Sequence, residues 1–190
     1  KHGNLSAAAG WYQRCLAQDP DNEVSIRGLI MCYVSQGLHE KVVGLWESHA
    51  NALQDNDSIA LKSADSFRKL HNTDMAAMLY QTLLDTDPLN KYAMSGMAHL
   101  LYEEEQYTEA IKIWQRFLDT EPESIIAHTC IGNCCRKLRN FENGMEYYRR
   151  AARIEPDNFY ALFGIADCAR GLKMYEQSLQ YWRRILDTDP

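Results

Sequence analysis

The chain has 190 residues, 46% of them apolar, and a net charge of −6. That balance argues against a nucleic-acid or anionic-membrane surface as the main partner, because both demand dense Lys and Arg. No run approaches 18 apolar residues, so no segment reads as a spanning helix, and Lys1 to Gly10 lack the apolar core of a signal peptide.

In chain order, the first break is Ala17-Gln18-Asp19-Pro20. It returns as Leu84-Asp85-Thr86-Asp87-Pro88, Leu118-Asp119-Thr120-Glu121-Pro122, Arg153-Ile154-Glu155-Pro156 and Leu186-Asp187-Thr188-Asp189-Pro190. All five prolines lie on this ladder, at spacings of 68, 34, 34 and 34, and the missing rung falls on Gln54. A fixed period of this size means a repeat array, in which each unit contacts mainly its neighbours. With proline at phase 32, the chain divides into 1–22, 23–56, 57–90, 91–124, 125–158 and 159–190.

Phase 8 holds Ile30, Ala64, Ala98, Gly132 and Ala166; phase 20 holds Ala8, Val42, Ala76, Ala110, Gly144 and Ser178. Phase 24 is aromatic every time: Tyr12, Trp46, Tyr80, Trp114, Tyr148 and Trp182. Phases 4, 7, 8 and 11, and again 17, 20, 24 and 27, follow the i, i+3, i+4, i+7 stripe of an amphipathic helix, so each unit reads as two helices. Small residues facing each other at phases 8 and 20 allow close approach, and the aromatic fills the space beside them. Turns fall at Gln36-Gly37, His71-Asn72 and Arg139-Asn140. Proline ends the second helix, and Asp57, Ser58, Asn90 and Asp157 are candidate caps for the next one.

Small at 8, small at 20, aromatic at 24 and proline at 32, in a 34-residue helical hairpin, resembles the tetratricopeptide repeat family. The resemblance covers the whole chain and is strongest in 91–124, 125–158 and 159–190. It implies an all-α fold, a right-handed α-solenoid of stacked antiparallel helix pairs with the first helices lining a concave groove. Residues 1–190 then form a single array, with 1–22 a second helix lacking its first, from Ser6 to Gln18. Unit 57–90 is weaker, with Ser63 and Thr73 at sites usually larger. Unit 23–56 departs most: Ile30 replaces a small residue, His49 sits at a core phase, and Gln54 replaces proline. Its second helix is expected to be less regular and to end near Asn51 to Asp55. The array stops at Pro190 without a polar capping helix, which points to a longer array or to self-association through uncapped ends.

The resemblance also places phases 2, 5, 6, 9, 12 and 13 on the inner surface. There the chain carries Lys62, Arg68, Lys69, Arg136, Lys137 and Arg170, with Tyr92, Tyr102, Tyr160, His99 and Asn133 among them. Arg is suited to bidentate capture of carboxylates, and Tyr supplies rigid apolar area with a polar tip. One reading is a groove for a peptide or protein segment with acidic character. The other is salt bridging of Arg68, Arg136 and Arg170 within or between repeats, since Asp65 and Asp167 stand three residues before Arg68 and Arg170. Glycine recurs at phase 6 in alternate units, as Gly28, Gly96 and Gly164. Either close approach of a bound chain to the helix backbone or tight packing between neighbouring first helices offsets its helix penalty of ~1 kcal/mol. The family's carboxylate clamp is not supported, because Thr129 stands where its lysine would, and no unit has the Lys/Arg pair.

The six cysteines lie in helical segments without disulfide-framework spacing, which favours a reducing, cytoplasmic compartment. Cys32, Cys134 and Cys168 share phase 10 and read as small buried hydrophobes rather than metal ligands. No phosphate loop, nucleophile elbow or metalloprotease histidine pair is present. No cofactor, metal or enzymatic activity is implied. The leading expectation is a non-catalytic protein-interaction scaffold. Its competitors are a structural subunit stacking on other arrays and the regulatory or substrate-recruiting region of a larger enzyme.

Overall fold

The computed structural model describes residues 2–53 and 56–188, the side chains of 2–4, 52 and 188 excepted. Gln54 and Pro190, the irregular rung and the last one, lie outside the described residues. Among those described, all regular structure is helical. The helices are α1 (His2–Gln18), α2 (Glu23–Gln36), α3 (His39–Leu53), α4 (Asp57–Lys69), α5 (Thr73–Thr86), α6 (Lys91–Glu103), α7 (Tyr107–Thr120), α8 (Ile125–Lys137), α9 (Phe141–Ile154), α10 (Phe159–Gly171) and α11 (Tyr175–Thr188). Thus α1 begins before the expected Ser6.

The chain forms two compact units, Lys1–Leu100 and Leu101–Pro190, with α6 contributing to both. In the first, α1 to α4 each pack on the next helix, α5 packs on α4, and the first helices α2 and α4 touch directly. In the second, α7 to α11 pack in the same sequential way, and α8 touches α10. This is the contact pattern of a helical-repeat solenoid.

Local chemistry sets the helix ends. The residue before each described proline after α5, α7 and α9 is extended: Asp87 at φ −130°, Glu121 at φ −131° and Glu155 at φ −129°. Proline forbids the α region to its predecessor, so the second helix stops there. Between the helices of a hairpin, one residue is left-handed: Gly37, His71, Glu105, Arg139 and Lys173, with φ between 58° and 70°. All five sit at phase 15, and only the first is glycine. The next residue's N–H bonds back to the carbonyl five residues earlier, as Asn72 does to Phe67 at 2.9 Å, and this local closure holds four exposed side-chain-bearing residues in a region they adopt infrequently.

Of the expected caps, Asn90 is one and the other three are not. The capping side chains of the first helices are Asn22, Asn56, Asn90, Ser124 and Asn158, all at phase 34, each accepting from the backbone N–H three residues on, and Asn72 and Asn140 cap second helices in the same way. Asp57, Ser58 and Asp157 are therefore not the caps. The helix starts right after phase 34, and only the residue before the first helical one has the extended backbone that aims its side chain at those N–H groups. Asp157 instead pairs with Arg184 Nη2 at 2.8 Å.

The phase-24 ring is buried in the four middle second helices and half-buried at Tyr12 and Trp182. Trp46, Tyr80, Trp114 and Tyr148 are all at most 3% exposed. In the second unit Tyr148 clusters with Met145, Ile165, Cys168 and Ala169. His49 is the exception at phase 27: α3 kinks there (φ −135°), and the ring's Nε2 lies 3.2 Å from the Pro20 carbonyl oxygen. An imidazole at an apolar site is accommodated by bending the helix until a backbone acceptor is in reach.

Candidate functional site

The phase-6 glycines are packing sites. A Cβ on Gly28 would lie 2.4 Å from the Tyr12 ring, one on Gly96 2.3 Å from Tyr80, and one on Gly164 2.3 Å from Tyr148. Each glycine underlies the aromatic ring of the preceding second helix, sixteen residues earlier. The contact expected between neighbouring first helices is thus made by a tyrosine. The tyrosine then reaches a phase-9 residue of its own hairpin: Tyr80 Oη donates to Asp65 Oδ1 at 2.7 Å, and Tyr148 Oη donates to Asn133 Oδ1 at 2.7 Å. Burial, then the Asp65 carboxylate, raise the Tyr80 pKa despite the opposing Arg68. Burial likewise raises that of Tyr148, against Arg136. Both are hydroxyl donors that fix the first helix from below.

In the unit Lys1–Leu100, Lys62 and Tyr92 line one open cavity of about 430 Å³ with Asp57, Ser58, Leu61 and Asn90. Tyr92 is largely exposed, with Lys91 Nζ 5.9 Å from its ring centre. Arg68 and His99 are half-buried and Lys69 is exposed.

In the unit Leu101–Pro190, the cations converge on Asp167. Arg136 Nη1 lies 2.8 Å from Asp167 Oδ2, and Arg170 bonds Oδ1 of the same carboxylate. Burial opposes the charge on both Arg136 and Asp167. The hydrogen bonds and charges around them together outweigh it: Asp167 with Tyr148 and Tyr102 raises the Arg136 pKa, and Arg136 with Arg170 lowers the Asp167 pKa. Arg136 also lies over the Phe163 ring, 5.8 Å from its centre. Tyr102 meets Tyr107 edge-on at 5.3 Å, and burial raises its pKa while Arg136 opposes the rise. Lys137 and Tyr160 are exposed, the latter 71%. Two guanidinium groups on one carboxylate leave a net positive site beside exposed aromatic surface.

Three contributors escaped the sequence reading: Ile126 and Phe159, exposed large apolar residues at phases 2 and 1, and Phe163, which supports Arg136. Phase 2 itself was the available signal, since Val24, Tyr92, Ile126 and Tyr160 are all exposed there. The cysteines are all free thiols. Burial pushes the Cys134 and Cys168 thiols up to about 12, and Cys130 to about 11. Among the described residues, no group of three or more His, Cys, Asp or Glu could hold a metal ion, and no helix is long and apolar enough to cross a membrane.

A search of the curated proteins finds no match. Solved structures share the fold at low identity. MamA from Desulfovibrio magneticus RS-1 superposes with a TM-score of 0.81 at 13% identity, over 88% of this chain and 94% of its own. A tetratricopeptide repeat protein from Parabacteroides merdae gives 0.81 at 18% identity, over 97% of this chain and 73% of its own. YrrB, described as a TPR protein with an unusual peptide-binding site, gives 0.74 at 12% identity, over 96% and 94%. A tetratricopeptide repeat family model matches residues 61–124, 95–159 and 136–190. With every helix pair built on the same 34-residue frame and the family model running from residue 61 to 190, the chain belongs to the tetratricopeptide repeat family.

Proposed function

We propose that the chain is a protein-interaction scaffold that takes a peptide segment or partner protein on the first-helix face of its repeats. The observation that carries this reading is the exposure of large apolar residues at one phase: Tyr92 in the first unit, and Ile126 and Tyr160 in the second, between 63% and 71% exposed. Burial on a partner would remove that surface from water, at roughly 25 cal/mol per Å². Farther along the same helix as Tyr160, Arg170 shares Asp167 with Arg136 and is itself mostly solvent-facing. An acidic segment supplies the second carboxylate that two guanidinium groups can hold. Lys137, one phase beyond Arg136, is a further exposed cation, and the Lys62–Tyr92 cavity of the first unit pairs a cation with a ring. Family membership, and the peptide-binding site of YrrB, agree with a partner that is a protein or peptide.

The test is an array of acidic and neutral extended peptides probed with the wild type and with Tyr160→Ala/Arg170→Glu. Both changed side chains are exposed, so helicity by circular dichroism should be unaltered. Acidic peptides should be retained by the wild type and lost by the variant. Equal retention by both proteins would sink the proposal.

A further inference from the structure

A second surface lies in the unit Lys1–Leu100, on the second helices. An apolar cavity of about 330 Å³ opens between α3 and α5, over the start of α4. Its floor is Trp46, Leu79 and Leu83, each at most 5% exposed, and at its mouth stands Met78, 51% exposed. The sequence explains why it is there. Ala50 lines the cavity at phase 28, where Leu16, Leu84, Leu118 and Leu186 stand in four of the other second helices. A methyl group in place of an isobutyl group leaves α5 without its filler, and the floor side chains do not close the gap.

The rim is acidic. Asp57 lines the cavity. Asp74 is one helical turn from Met78, and Asp85 is one turn from Thr82, which also lines it. No Lys or Arg lines the cavity or occurs in α5. An apolar floor with a methionine gate accepts varied side-chain shapes, since the thioether is unbranched and polarizable. The volume suits one large apolar side chain rather than a whole helix.

We propose that this cavity is a docking site for a basic protein segment, anchored by one large apolar residue between lysines or arginines. It borders the Lys62–Tyr92 cavity of the first-helix face at Asp57, which lines both, and has the opposite charge preference. The anchor would stack on Trp46 and Leu79 under Met78, and the flanking cations would face Asp57, Asp74 and Asp85.

The experiment uses a fluorescently labelled lysine-rich peptide with a central Phe and measures anisotropy against the full chain. Two control peptides replace the Phe by Ser, or every Lys by Glu. The wild type should bind the Phe–Lys peptide and lose about tenfold or more with each control, the loss typical of removing an interface anchor. Met78→Lys should lose as much, with unchanged helicity. Thr82→Lys, at an exposed rim position, gives the same readout should Met78→Lys misfold. Tyr160→Ala/Arg170→Glu should bind the Phe–Lys peptide like wild type, whether or not the first-helix face binds acidic peptides. The proposal is overturned if the Phe–Lys peptide fails to bind, if the Glu peptide binds as well, or if Met78→Lys and Thr82→Lys both bind normally. It is equally overturned if the wild type sediments as a dimer that Met78→Lys dissolves, because the occupant is then a second copy of the chain.

Discussion

Gly96→Ala and Gly44→Ala are the same chemical change in two helices of one compact unit, and the structure assigns them opposite signs. At Gly44, exposed in mid-α3, an added Cβ meets nothing within 4 Å. Alanine there should stabilise by ~1 kcal/mol through helix propensity alone. At Gly96 the same gain applies, but the Cβ lands 2.3 Å from Tyr80 Cε1 and 2.5 Å from Cζ. Ordinary carbon contacts are ~3.5 Å, so the ring must retreat by about 1 Å. It has nowhere to go: Tyr80 is fully buried and its hydroxyl is held by Asp65. Overpacking costs ~1–3 kcal/mol, and disturbing the buried hydrogen bond about 1 kcal/mol more. Less the propensity gain, Gly96→Ala should be ~1–3 kcal/mol less stable than wild type, so the two variants differ by ~2–4 kcal/mol. Urea denaturation followed by circular dichroism measures both. In a Tyr80→Leu background the penalty at Gly96 should vanish, because the clashing ring is gone. A Gly96→Ala protein as stable as Gly44→Ala would refute the ring-over-glycine argument.

Acid should weaken the second unit through His128. This side chain is buried, its Nε2–H donates to the Pro122 carbonyl at 3.0 Å, and burial lowers its pKa, with Arg150 adding to the effect. The folded state therefore binds its proton later than the unfolded chain, whose His titrates near ~6.5. Stability is full above ~6.5 and falls as pH drops from there towards the lower folded value, with a slope of at most ~1.4 kcal/mol per pH unit. His128→Gln should flatten the denaturation midpoint between about pH 6.5 and 5; an unchanged slope would rule His128 out. Thiol labelling gives an independent check on burial. Iodoacetamide should modify exposed Cys15 in the native protein, while Cys134 and Cys168, fully buried with thiols pushed up to about 12, react only on unfolding. Native labelling of either buried thiol at the rate of Cys15 would contradict the packing.

Much of the fold is legible because its rules are local. Proline pushes the residue before it out of the α region, and Asp87, Glu121 and Glu155 all stand at helix ends in line with this. The 3.6-residue stripe then assigns the core, and the phase-24 rings are buried in line with it. Asn90 caps as expected, whereas before α4 the cap differs from the expected residues by one or two positions, because phases 34, 1 and 2 all offer capping residue types in 56–58. Only the backbone angle at Asn56 selects among them.

The candidate site was less legible. The phases named its residues, and the i, i+3 spacing allowed Asp167 to pair with Arg170. Nothing in the sequence said that Arg136, thirty-one residues earlier, closes on the same carboxylate. Long side chains reach several partners from one phase, and the choice depends on how α8 lies against α10. The cavity under Met78 is similar: Ala50 is visible as a departure from leucine, but whether neighbours collapse into the space depends on packing.

The sequence by itself determined the period, the helix ends and the face each residue takes, since these follow from φ/ψ restriction and hydrophobic periodicity along one chain. Tertiary structure decided which cations are neutralised, which rings fill which glycines and where apolar surface stays open. Those outcomes depend on distances between helices, and side-chain identity alone does not fix them.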